Sequence, residues 1–229
     1  ETVKSHGGLE ELLREDIVGM VQSMINNLPQ ELQRALAVAS YIRATFDSDT
    51  LWDLMRRMDG RSDSVLRDSN ERPSVLPNSE DVAHNTKHNE EKQELVKLLD
   101  QAVDEGLLIS RSSSPPVDEH TEHHHHINRE YSFTHDRIQE AATTGIGNDE
   151  KEKFLGKLGH ALLKRARLLD HHAEQHGGDD NSYHWLYFAA AQHLNSLPLS
   201  LLDDDAKIKL AELNAKTAEL SMELLAFNC

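Results

Sequence analysis

Cysteine is nearly missing from this chain: the one thiol, Cys229, is the last residue, which excludes an internal disulfide framework and points to a reducing compartment. Aromatic residues are scarce too, 5% of 229, so the expected scale is one or two modest domains rather than one large aromatic core. No apolar run approaches the roughly 20 residues that a membrane-spanning helix needs, so no membrane partner is expected. Basic residues are in deficit, 24 Lys and Arg against 40 Asp and Glu, and a net charge of −16 argues against broad binding to nucleic acid. Missing as well are a GxxxxGK[ST] phosphate loop, an acidic strand end to hold Mg²⁺ and any nucleophile–base pair, so these residues are not expected to form an enzyme. The chain starts at Glu1 without a signal or transit peptide and ends inside a helical pattern. It reads as a piece of a longer, cytoplasmic protein.

What the sequence does hold is helix, in which Leu, Ala, Glu, Lys and Gln are favoured. Ile17, Met20, Val21 and Met24 make one apolar stripe; Pro29 is expected to open the next helix, with Leu32, Leu36, Ala39 and Ile42 on its inner face. Asp47 or Ser48 caps a short helix carrying Leu51, Leu54 and Met55. From Asp59 to Asn89 the composition turns to Ser, Asp, Asn, Arg and Pro, which predicts a disordered surface insertion. Helical spacing returns at Leu95, Leu98, Leu99, Ala102 and Val103, and Gly106 ends it before the strand-like run Leu107, Leu108, Ile109. A second polar stretch, residues 110–128, separates that run from Tyr131 and Phe133, which alternate with Ser132 and Thr134 as a half-buried strand does. Paired, the two strands form a hairpin with a long tip. Three helices followed by a hairpin is a winged-helix order.

Beyond residue 145 the pattern is helical throughout. Phe154, Leu155, Leu158, Ala161 and Leu162 mark one helix; Trp185, Phe188, Ala189 and Leu194 another, ended by Pro198; the last starts near Ala206. That last helix has two apolar stripes, one through Leu210, Leu213, Thr217, Leu220 and Leu224, the other through Ala211, Ala215, Ala218, Met222 and Leu225. A helix apolar on two sides calls for neighbours on two sides, as in a stack of helical repeats.

The segment YSFTHDRIQEAA, residues 131–142, joins the second strand to a helix. Thr134 is expected to cap that helix, Asp136 suits its dipole, and His135 and Asp136 stand at its N-terminus, where free N–H groups favour a phosphate. The plainer reading gives His135 only local backbone groups to satisfy. Fifteen histidines invite a metal reading, with His120 and His123 to His126 in one group and His171, His172 and His176 in another. No HExxH is present, the first group reads as a low-complexity polar loop, and no metal site is assigned. Residues 90–105 carry Glu90, Glu91, Glu94, Asp100, Asp104 and Glu105 against Lys92 and Lys97, the wrong sign for a DNA recognition helix. Lys151, Lys153, Lys157, Lys164, Arg165 and Arg167, interleaved with Glu150 and Glu152, read as a solvated helix face.

The runs NNLPQELQRALAVASYIRATFDSDTL, DEGLLI, FTHDRIQEAA, AAAQHLNSLP and KLAELNAKTAELS occur in the order found in large signal-transduction ATPases of the STAND type, which this chain resembles over most of residues 17–226. In that family an AAA-like nucleoside-triphosphatase module precedes a winged helix and tetratricopeptide-like helices, often alongside kinase, histidine kinase or cyclase domains. The resemblance implies a mainly α fold. Residues 1–16 then link to an upstream module, 17–145 form a winged-helix domain with polar insertions at 59–89 and 110–128, and 146–229 begin a helical repeat. FTHD is also similar to the Met-His-Asp signature of nucleotide-switch receptors, with Thr134 in place of the methionine. By that resemblance His135 contacts the β-phosphate of ADP bound upstream and Asp136 braces the loop. ATP or ADP is then a ligand of the longer protein, with no cofactor held by these residues themselves. The implied partners are the upstream module and, through the helical repeat, other proteins. The alternative is a nucleotide-independent interaction scaffold, which expects His135 buried against its own domain. DNA binding by the winged helix ranks below both.

Overall fold

The computed structural model describes residues 17–60, 79–111, 128–176 and 181–226. These are mainly helical, with one small antiparallel sheet of three strands. No helix among them is long and apolar enough to cross a membrane. The chain divides into two compact units, residues 1–56 with 61–146, and residues 57–60 with 147–229.

In the first unit α1 covers 17–26, α2 Gln30–Ile42, β1 Thr45–Asp47, α3 Ser48–Met58, α4 Ser79–Asp104, β2 Leu108–Arg111, β3 Glu130–Phe133 and α5 Asp136–Thr144. Its core is aliphatic: Leu32, Leu36, Leu51, Leu54, Leu99, Leu107 and Leu108 are fully buried, and each contributes about 1.5–3 kcal/mol by leaving water. Pro29 stands at the N-cap of α2, one place before its expected position, and its carbonyl accepts from the Gln33 amide. Asp47, not Ser48, caps α3, its carboxylate taking the Thr50 amide at 2.8 Å. Ser48 instead closes the sheet: its amide donates to the Arg129 carbonyl at 2.9 Å and its hydroxyl accepts the Arg129 amide at 3.2 Å.

The sheet has the order β1–β3–β2, so the expected two-stranded hairpin gains a third member. Thr45, Phe46 and Asp47 lie opposite Ser132, Tyr131 and Glu130, and on the other side Leu108 lies opposite Phe133 and Arg111 opposite Glu130. Three residues are too short to show alternation, and β1 is held by what it meets: Phe46 stacks on Tyr131 at 6.0 Å between ring centroids and packs on Phe133 at 5.9 Å. The expected insertion at 59–89 is also shorter than its composition suggests. Helix α4 begins at Ser79; residues 61–78 lie outside the described part, as do 112–127 of the second insertion.

In the second unit α6 covers Asn148–His176 and α7 Trp185–Asn195, each followed or preceded by short 3₁₀ turns, and α8 covers Asp204–Ala226. Gly159 lets α6 and α7 approach closely, since a Cβ there would lie 2.7 Å from Leu194 Cγ. Further along α6, Asp170 accepts the hydroxyls of Tyr183 at 2.7 Å and Tyr187 at 2.6 Å. Burial first, then the Asp170 carboxylate, raises the Tyr187 hydroxyl well above its ordinary value, so it stays a donor. The amides of Asn195 and Asn214 exchange reciprocal hydrogen bonds of 2.7 and 3.1 Å between α7 and α8. One stripe of α8, Leu210, Leu213 and Leu220, is buried. The other is open, with Met222 63% and Leu225 69% exposed, so the second neighbour that its pattern calls for is not among the described residues.

Candidate functional site

The candidate site is the corner between β3 and α5, and it is built from the end of α4. Gly106 follows α4 with φ 74°, a left-handed turn that glycine enters without strain. Its amide donates to Val103 O and the Leu107 amide to Ala102 O, both at 2.9 Å, the paired bonds of a Schellman cap. The cap turns the chain so that Leu107 is buried while the carbonyls of Gly106 and Leu107 stay available.

Thr134 takes those carbonyls. Its hydroxyl lies 2.8 Å from Gly106 O and 3.2 Å from Leu107 O, and its amide donates to Leu107 O at 3.1 Å. Thr134 is therefore not the cap of α5, because its side chain is engaged by the α4 turn. His135 is the cap. With an extended backbone, φ −154° and ψ 146°, it accepts the Arg137 amide on Nδ1 at 3.1 Å, and its carbonyl accepts the Ile138 amide at 2.9 Å. An Nδ1 that accepts a hydrogen bond carries no proton, so the neutral ring holds its hydrogen on Nε2. His135 is exposed, and Nε2 has no partner among the described residues.

Asp136 is the first residue of α5 and is exposed beside His135; its position at the positive end of the helix is favourable to its charge. Arg137 pairs with Glu140 at 2.8 Å, one turn along. On the inner side Gln139 Nε2 donates to Ser40 O at 2.8 Å, and Ala141 and Ala142 are buried, which fixes α5 against α2. The corner thus presents an imidazole N–H donor to solvent at the positive end of a helix whose Arg137 and Ile138 amides are already taken by His135, from a backbone held by at least five hydrogen bonds to neighbouring elements and turns. That arrangement can bind an anion.

Comparison with the profiles of known families, with curated proteins and with solved structures returned no match.

Among the described residues no three His, Cys, Asp or Glu side chains are placed to hold a metal ion. His171 lies 3.0 Å from Gln175 Nε2 on its own helix, and His120 and His123 to His126 lie outside the described residues. Sequence reasoning missed one polar cluster beside the corner. Asp100 on α4 accepts Arg129 Nη1 at 2.7 Å and the Tyr131 hydroxyl at 3.0 Å. Burial, reinforced by the Asp100 charge, pushes the Tyr131 hydroxyl up to about 12. The signal was present in one form: a tyrosine on the inward face of a strand needs a partner for its hydroxyl.

Proposed function

We propose that this chain is a regulatory, non-catalytic part of a multidomain signal-transduction ATPase, in which a winged helix latches the nucleotide module and the following helices bind protein. The observation that carries the reading is the exposed His135: its Nδ1 is committed to capping α5, so Nε2–H is left as a donor to solvent at the positive end of a helix, where a phosphate can accept it. A nucleotide-independent scaffold expects this ring buried, and its exposure favours the latch. The helix–strand–helix–helix–strand–strand order with sheet order β1–β3–β2 supports the winged-helix assignment. The three consecutive helices of the second unit support a helical stack, although their lengths of 29, 11 and 23 residues are less even than those of a regular tetratricopeptide-like array.

In this mechanism the β-phosphate of ADP on the upstream module accepts from His135 Nε2 and Asp136 braces the corner, holding the winged helix closed. Exchange for ATP removes the differential contact and releases it. DNA recognition by α4 is disfavoured by charge. Lys92 is paired with Asp49 at 2.6 Å and Lys97 with Glu94 at 3.3 Å, which leaves the helix with an acidic excess.

The test uses the protein that joins these residues to the proposed ATPase module. His135→Ala is expected to weaken ADP binding about tenfold, the loss of roughly 1.4 kcal/mol from one hydrogen bond to a charged group, and to raise basal output. Fluorescent-ADP titration measures it, and unchanged ADP affinity would sink the latch.

A further inference from the structure

The open side of α8 has a heptad pattern. Ile208, Ala211, Ala215, Ala218, Met222 and Leu225 follow one another at alternating steps of three and four, the spacing of a coiled-coil seam, and all six are exposed. The stripe lies opposite the buried Leu210, Leu213 and Leu220. Leu199 and Leu201, in the turn just before α8, are 64% and 62% exposed, so the chain between 199 and 225 gathers much of the exposed apolar surface among the described residues. One flank of the seam carries Asp205, Glu212 and Glu219, a heptad apart and exposed; Glu212 and Glu219 form no ion pair among the described residues.

From these observations we infer that the seam of α8 docks an amphipathic helix of another protein that carries Lys or Arg beside its apolar stripe. A straight seam of about 26 Å from residue 208 to 225 matches a partner helix of five turns. Three successive alanines make a shallow trough that large partner side chains fill. Unpaired carboxylates along one edge select cations on the partner. A second copy of this chain fits less well. Parallel and in register it stacks alanine on alanine at three levels, burying little; antiparallel it sets Glu212 and Glu219 against the same acidic flank of its mate. The chain's net charge of −16 opposes self-association in either case.

The inference rests on the reading of the second unit as a protein-binding surface and is independent of the nucleotide latch. Its test titrates the 229-residue chain into two labelled three-heptad peptides with leucine seams, one with lysine and one with glutamate on both flanks, followed by fluorescence anisotropy. The lysine peptide is expected to bind and the glutamate peptide to bind at least tenfold more weakly. Ala215→Glu, exposed on a helix that tolerates glutamate, should weaken the lysine peptide at least tenfold although it adds negative charge. Ala218→Glu should repeat the effect, with circular dichroism showing the fold kept. Glu212→Lys with Glu219→Lys should shift preference toward the glutamate peptide. Binding unchanged or tightened by both alanine variants would reduce the attraction to bulk charge and overturn the site. Equal binding of the two peptides, still lost with Ala215→Glu, would overturn the basic partner while leaving the protein-binding surface. A dimer in sedimentation velocity that Ala215→Glu converts to monomer would assign the seam to a second copy and overturn the inference.

Discussion

At Gly106 the backbone φ is 74°, and nothing stands within 4 Å of the place a Cβ would take, so Gly106→Ala changes conformational cost without steric crowding. The expected loss is about 1–2 kcal/mol, read as a lower urea midpoint with an unchanged slope; an unchanged midpoint contradicts the left-handed turn. Tyr131 makes a second residue-scale test. Its hydroxyl is pushed up to about 12 in the fold, so the stability it lends is whole below the ordinary tyrosine value near 10 and falls as the pH climbs toward 12. Tyr131→Phe should cost about 1 kcal/mol at pH 7 through the bond to Asp100 and flatten part of that alkaline decline. Tyr41 and Tyr187 are raised in the same direction and maintain the remainder, so urea titrations at several pH values must show a shallower, not absent, decline; an unaltered slope rejects the assignment. What was legible at this scale was local. The end of strand alternation at Phe133 put His135 and Asp136 at a helix start, but the exchange of capping roles between Thr134 and His135 depends on the Gly106 carbonyl, 28 positions away. Asp100 meets Tyr131 across 31 positions, which no spacing in the sequence records.

Between elements, the approach of α6 to α7 makes opposite predictions for two glycines one helical turn apart. At Gly159 a Cβ would lie 2.7 and 2.9 Å from Leu194 Cγ and Cδ2, so Gly159→Ala forces repacking that costs about 1–3 kcal/mol against a helix-propensity gain of about 1 kcal/mol. At Gly156 the nearest atom is Leu197 Cδ1 at 3.5 Å, an ordinary contact, so Gly156→Ala keeps the propensity gain. Thermal unfolding should show Gly159→Ala below the parent and Gly156→Ala above it; two variants that both rise would disprove the close approach. Apolar stripes made most helices readable, since a stripe records which face leaves water. The same stripes do not say what covers them, which is why the two sides of α8 look alike in sequence and differ in the fold. Strand β1 gave no periodic signal in three residues, and the start of α4 was hidden by a polar composition in which, of residues 79–89, only Glu80, Ala83 and Lys87 are strong helix formers.

For the molecule as a whole, a net charge of −16 spread over 229 residues means self-repulsion that the folded state concentrates. Raising NaCl from about 10 mM to about 500 mM shortens the screening length from roughly 30 Å to a few ångströms and should raise the unfolding temperature; calorimetry that shows it falling would mean that attractive pairs outweigh the repulsion. The pairing of Arg111 with Glu130 has a different kind of consequence. It brings the two ends of the residues 112–129 connection side by side at the end of the hairpin away from His135, and a flexible linker inserted between such ends raises the cost of closure only with the logarithm of its length, about 0.6 kcal/mol per doubling. The hairpin therefore offers a docking port for protein engineering, where a fluorescent reporter or an affinity tag can be spliced in and read out while the corner at Thr134 and His135 keeps its shape.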